Sequence, residues 1–175
     1  MEITFEQNVP YIIEGLEKTR SIYQTLLTGL DEATRTWKPE PDLWCLLEIV
    51  CHLYDEERED FRARVKHMLT SPAVHAPSID PVGWVTERKY MEQDYNEMLK
   101  AFLDERDQSV IWLKSLENAN WAGAYNHPRF GPLTAKMFLT NWLAHDYLHI
   151  RQIMSRKYHY LHQKTGIDLE YAGGW

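Results

Sequence analysis

The chain has 175 residues, of which 44% are hydrophobic and 13% aromatic. That excludes a disordered chain and fits a single domain, residues 1–175, with a packed core. The formal net charge is -7, and the absence of a concentrated basic stripe argues against nucleic acid as a partner.

No segment approaches the ~18 uninterrupted apolar residues of a membrane span. The acidic opening Met1-Glu2-Ile3-Thr4-Phe5-Glu6 does not read as a signal peptide. Cys45 and Cys51 are the only cysteines, and reduced thiols in a cytoplasmic protein are the simplest reading of them. Seven tryptophans and ten tyrosines are many for one small core to bury, which points to an aromatic-lined pocket or to a homodimer interface.

Four helices are expected, in chain order. The first spans roughly Val9 to Leu30, with Tyr11, Ile12, Leu16, Thr19, Ile22, Tyr23 and Leu26 recurring at spacings of three and four. Gly29 and Lys38-Pro39-Glu40-Pro41-Asp42 end it. The second spans Trp44 to Thr70, with Cys45 and Glu48 at the positions of a capping box. Ser71 to Gly83 contains three prolines and reads as a long crossover. Such a connection lets the second and third helices run parallel, where a short loop would make them an antiparallel hairpin.

The third helix is expected from Val85 to Leu116. Gly123 to Pro132 then breaks the chain, and Thr134 is placed to cap a fourth helix reaching about Tyr160. No segment sustains a period-two alternation, so essentially no sheet is expected. The resulting class is all-α, an up-down-down-up four-helix bundle with a long crossover between helices two and three.

The most informative residues lie on the fourth helix. His145 and His149 are four apart, which puts both imidazoles on one face, a turn apart, as a helix does when it gives two ligands to one metal ion. Phe138, Trp142, Gln152 and Ile153 continue that face, so both histidines look inward. The alternative is a pair of buried, hydrogen-bonded imidazoles, each needing partners for two ring nitrogens.

His52, in the apolar part of the second helix, is the candidate third ligand. If helices two and four are antiparallel, all three histidines meet at one end of the bundle. His67, His75, His127, His159 and His162 are weaker candidates, in loops or near helix ends.

Asp55 and Glu56 follow His52 by three and four residues and could contact a ligand or act on a proton, with Glu56 as the candidate catalytic group. The run Asp55-Glu56-Glu57-Arg58-Glu59-Asp60 reads more simply as a solvated helix face. Gln152 could orient His149, and Asp146 should serve the fold. Three neutral imidazoles leave a coordination position open. They suit zinc or nickel best, with cobalt, manganese or iron also compatible.

Three blocks resemble the DinB-like superfamily of metalloenzymes, which includes the YfiT-like proteins. They are Trp44 with Leu46-Leu47-Glu48-Ile49-Val50-Cys51-His52-Leu53, His127-Pro128-Arg129-Phe130-Gly131-Pro132-Leu133-Thr134, and His145-Asp146-Tyr147-Leu148-His149-Ile150-Arg151-Gln152-Ile153. The resemblance implies an up-down-down-up bundle, often dimeric, with His52, His145 and His149 around a zinc, nickel or similar ion. Cys45 stands where relatives often have Ser, and Tyr147-Leu148 replaces a pair that often includes a further histidine. The resemblance also implies a small-molecule substrate. The first expectation is a thiol-dependent S-transferase using a low-molecular-weight thiol, or a related hydrolase. Two other readings remain open, a structural or sensory metal site without catalysis and a metal-free interaction bundle.

Overall fold

The computed structural model describes residues 4–72, 74, 76 and 78–174. Four long helical stretches form the bundle. They are α1 (Phe5–Leu27), the continuous pair α3 (Leu46–Asp55) and α4 (Arg62–Thr70), α6 (Tyr95–Lys114) and α7 (Ala135–Thr165). Short helices α2 (Glu32–Thr36) and α5 (Gly83–Glu87) lie in the connections.

Side-chain bonds between helices fix their directions. Tyr95 Oη reaches the Leu27 carbonyl, Arg20 reaches Asp107 and Lys114 reaches Glu17, so α1 and α6 are antiparallel. Cys45 meets Met91, Glu57 meets Arg106 and Arg62 meets Ser109, so α3–α4 and α6 run parallel. Arg156 bonds to Trp44 and Trp142 stacks on Phe61, so α7 opposes α3–α4. Thr19 meets Asp146 and Leu26 meets Lys157, which makes α7 parallel to α1. This is the up-down-down-up order that the long crossover was expected to permit.

The core is in two parts. One gathers Tyr23, Leu27, Leu46, Ile49, Phe102 and Ile153, and the other Leu16, Phe61, Val65, Val110, Leu139 and Trp142. Each such side chain, once fully buried, contributes roughly 1.5–3 kcal/mol of transfer free energy. Between the two parts, along every helix, lies a buried ionic layer. Arg106 Nε and Nη2 donate to the two Glu57 oxygens at 2.9 Å, and Nη2 and Nη1 donate to Asp146 at 2.8 and 2.6 Å. Thr19 and Tyr23 donate to Asp146, and Trp142 Nε1 donates to Glu57 at 2.9 Å.

Several expectations need correction. The 55–60 charge run is not a solvated face, since Asp55, Glu56 and Glu57 are 4%, 4% and 1% exposed. A π-helical turn over Glu56–Phe61 interrupts the helix there, and each acid turns toward a different neighbour. Asp55 accepts from Tyr90 Oη and pairs with Arg88, both at 2.6 Å. Glu56 faces Asp60, and Glu57 meets Arg106.

The helix expected from Val85 is broken. After α5, Lys89 takes a left-handed conformation (φ 49°) and a 3-10 turn covers Tyr90–Glu92. Asp94 then caps α6, accepting from Glu97 N–H at 2.8 Å. The segment expected to be free of sheet forms an antiparallel hairpin, β1 (Ala124–His127) with β2 (Gly131–Thr134). Its turn is held by the His127 ring, whose Nδ1 accepts from the Arg129 and Phe130 N–H groups, and by Gly131 at φ 71°. Strands of four residues are too short to show a periodicity. The fourth helix runs five residues past Tyr160, to the left-handed Gly166 cap.

Candidate metal centre

Each histidine is placed by a defined local feature. Glu48 caps α3 by accepting from Cys45 N–H at 2.9 Å, and its other oxygen holds Lys38 at 2.8 Å. From that start, His52 falls on the buried side of α3, 5% exposed, with Trp44 at 4.8 Å between ring centroids. Thr134 Oγ1 caps α7 by accepting from Met137 N–H. The i,i+4 spacing then brings His145 and His149 together, with centroids 4.3 Å apart. Both face His52 across the α3–α7 groove, at 5.5 and 4.8 Å. Phe61 closes the other side of His145 at 4.9 Å.

One ring nitrogen from each histidine lies within 4.8 Å of the other two. His145 Nε2 and His149 Nε2 are 3.0 Å apart. Two imidazole nitrogens bound tetrahedrally to one zinc at ~2.0–2.1 Å would sit roughly 3.3 Å apart, so the spacing is of the right size. Without an ion, His145 in its Nε2–H tautomer would donate to His149 Nε2 across this gap. His52 Nδ1 is buried without a hydrogen-bond partner among the described residues, a cost that a protein normally avoids.

The electrostatics agree with a ligand role. Desolvation holds His52 down to about 3 and His145 to about 2, with neighbouring histidines adding to the effect. His149 is lowered too, first by burial, against a raising bond to Gln152. At neutral pH all three are therefore uncharged, the form that binds metal. His149 Nδ1 lies 2.8 Å from Gln152 Oε1. As an amide oxygen can only accept, Nδ1 carries the proton and Nε2 offers its lone pair. The residues present thus fit a divalent ion with three nitrogen ligands.

The remaining candidates sort clearly. Asp55 is engaged by Tyr90 and Arg88. Glu56 is buried with Oε1 unpartnered among the described residues, and burial, reinforced by Asp60, pushes its carboxyl up to about 8. Glu56 is not among the three residues whose ligand atoms converge. His67 bonds to the Val74 carbonyl, His159 to Ser155, and His127 to its own hairpin. His162 lies in the last turn of α7, and His75 lies outside the described residues. Cys45 and Cys51 are unpaired and buried, and desolvation pushes their thiols up to about 11 and about 12. They are core thiols rather than ligands. Among the described residues, no helix is long and apolar enough to cross a membrane.

Arg106 and Glu57 were not anticipated. The available signal was Arg106 itself, a cation on the same stripe as Leu99, Phe102, Leu103, Val110 and Leu113. All of these are buried.

No curated protein sequence matches the chain. Among solved structures, it is similar to YfiT from Bacillus subtilis, described as a probable metal-dependent hydrolase with an unusual four-helix bundle topology. The TM-score is 0.76 at 18% identity, over 95% of this chain and 92% of that one, a likeness of fold. Residues 15–153 match the sequence family described as the DinB superfamily. With most of its length covered by that match, and with the same bundle topology, the chain belongs to the DinB superfamily.

Proposed function

We propose that the chain is a metal-dependent enzyme acting on a small molecule, as a thiol-dependent S-transferase or a related hydrolase. The observation that carries this reading is where the three histidines stand. They are held neutral and converge on one point, yet His149 also lines a surface cleft of about 770 Å³. A purely structural site would have no use for an approach from solvent.

A divalent ion, zinc or nickel by ligand preference, would supply Lewis acidity there, lowering the pKa of a thiol or water that reaches it. The protein's own groups do the rest. His52, His145 and His149 hold the position, and Gln152 fixes the His149 tautomer. Trp44 and Phe61 cover the rings and limit water. Glu56, four residues after His52 with a carboxyl pushed up to about 8, is the proposed proton acceptor. A pKa close to the working pH suits a group that must both take and return a proton. The homodimer expected from the aromatic content belongs to the same proposal.

The test is a screen of zinc- and nickel-loaded protein with cysteine as the thiol and monobromobimane as the electrophile, beside p-nitrophenyl acetate without thiol. Metal-dependent bimane transfer supports the transferase, and thiol-independent ester cleavage supports the hydrolase. Loss of either activity in His145→Ala ties it to the site. A folded, fully metal-loaded protein inert in both assays counts against catalysis.

A further inference from the structure

Two arginines are buried among the described residues, and they differ in one respect. Arg106, 1% exposed, is neutralised by Glu57 and Asp146. Arg156, 8% exposed, has no carboxylate partner among the described residues. Its one hydrogen bond among them runs from Nε to the Trp44 carbonyl at 2.6 Å. That leaves the Nη1–Nη2 edge without an acceptor among the described residues. Desolvation lowers its pKa, and no carboxylate opposes the effect. The stem is buried while the unpaired edge reaches solvent, so the guanidinium is held in place with its fork free to meet an anion.

Arg156 lines the same cleft as His149, together with Gln152, Ser155 and Arg151. The described lining holds two arginines and no carboxylate, in a chain with 26 acidic and 19 basic residues. His145, His149, Gln152 and Arg156 follow one another at steps of four, three and four along α7, so they share a stripe. Arg156 stands seven residues beyond His149, about 10 Å along the axis. The free edge of a guanidinium is a planar fork matched to the two oxygens of a carboxylate.

We propose that Arg156 anchors a carboxylate on the small-molecule substrate, about 10 Å from the end that reacts at His52, His145 and His149. The inference rests on the metal-site reading for the identity of the reacting end, but not for the anchor. It defines the substrate class as an acid whose carboxylate is separated from its reactive group by about six to eight bonds. The competing role for Arg156 is a clamp. By holding the Trp44 carbonyl it would position the indole against His52, with no bearing on charge in the cleft.

The experiment compares acids with alcohols of the same length by titration calorimetry. Into chelator-stripped protein go hexanoate and hexanol; into zinc-loaded protein go 6-mercaptohexanoate and 6-mercaptohexanol. A charge-assisted bidentate contact should make hexanoate bind about tenfold more tightly than hexanol, or better. The preference should vanish in Arg156→Met, persist in part in Arg156→Lys and be kept in Arg151→Met. Equal binding of acid and alcohol by the unmodified protein overturns the proposal, as does a preference that survives Arg156→Met. A pure clamp would alter zinc affinity in Arg156→Met while showing no acid preference in the first place. If the acid preference holds in stripped protein but the thiol adds nothing after zinc loading, the metal-site reading fails and the anchor stands. Should Arg156→Met not fold, the Arg156 Nε–H resonance of the unmodified protein decides. It shifts with hexanoate and not with hexanol if the anchor is real, and with neither if it is not.

Discussion

Replacing Arg106 by Met keeps much of the side-chain volume and removes the charge at the centre of the ionic layer. Its guanidinium gives every N–H to protein acceptors, namely Glu57, Asp146, Thr19 and the Leu16 carbonyl. Without it, Glu57 at 1% and Asp146 at 0% exposure face each other with no cation between them. Breaking a buried ion pair by removing one partner costs about 3–5 kcal/mol. A loss of about 4 kcal/mol at pH 7 is expected, out of a total stability of roughly 5–15 kcal/mol for a domain. For a chain of this length that corresponds to a fall in Tm of about 8–16 °C. Urea unfolding, followed by circular dichroism with and without chelator, measures it. Adding Glu57→Gln and Asp146→Asn to Arg106→Met should recover part of the loss, because neutral amides are cheaper to bury than carboxylates. A loss under about 1 kcal/mol, or no recovery in the triple variant, would refute the view that this layer is a dry, mutually dependent network.

His52→Ala, His145→Ala and His149→Ala should each lose most of the bound metal in elemental analysis, while His159→Ala and His162→Ala keep it. Full occupancy in a folded His52→Ala variant would remove that residue from the site. Gln152→Ala, which frees the His149 tautomer, should weaken metal affinity roughly 10–100-fold without changing stoichiometry, as a competitive chelator titration would reveal. Glu56→Gln should stabilise the protein while impairing catalysis. The folded-state pKa of about 8 lies above the unfolded value of ~4.3, so the folded state binds more protons and stability falls as pH rises between the two. The variant's advantage should therefore be absent at pH 4, grow through pH 5–8 at no more than about 1.4 kcal/mol per pH unit, to at most about 5 kcal/mol, and then level off. A flat difference in urea midpoints across that range would contradict the shift.

The three-histidine cluster was legible because its signals are local or nearly so. The i,i+4 pair on α7 needs no tertiary information, and Gln152 follows on the same face. His52 required only the order of the helices, which the crossover from Ser71 restricts. What escaped was set by contacts that no period reveals. The acids at 55–57 look like a solvated run because an α-helix cannot face three successive residues inward. They are buried because the π turn shifts the register, Tyr90 and Arg106 reach Asp55 and Glu57 from other elements, and Glu56 turns to Asp60 within the same turn. The break before α6 was marked by Asp94 and Glu97, an N-cap and N3 pair, inside a stretch whose apolar spacing suggested one continuous helix. The hairpin depends on the His127 ring bonding to its own turn, which composition does not announce.

The ionic layer and the candidate metal centre are linked through neighbouring residues of α7. His145 and Asp146 are adjacent, so their side chains leave the helix about 100° apart. One meets His52 on α3, and the other meets Arg106, Thr19 and Tyr23 on α6 and α1. Trp142, one turn earlier, bonds to Glu57 from the same helix. Apolar packing alone tolerates a small rotation or slide of α7, since Leu, Ile and Phe side chains exchange contacts at little cost. The bidentate Arg106–Asp146 contact does not, because a shift of one residue would bury both charges unpaired. The layer therefore sets the rotation and height of α7, and with them the direction in which His145 and His149 point. Three monodentate imidazoles on two helices must be held to within about half an ångström to bind an ion well. A buried salt bridge that adds little net stability can still be kept for that positional control, and here the residues it controls are the two α7 histidines of the candidate metal centre.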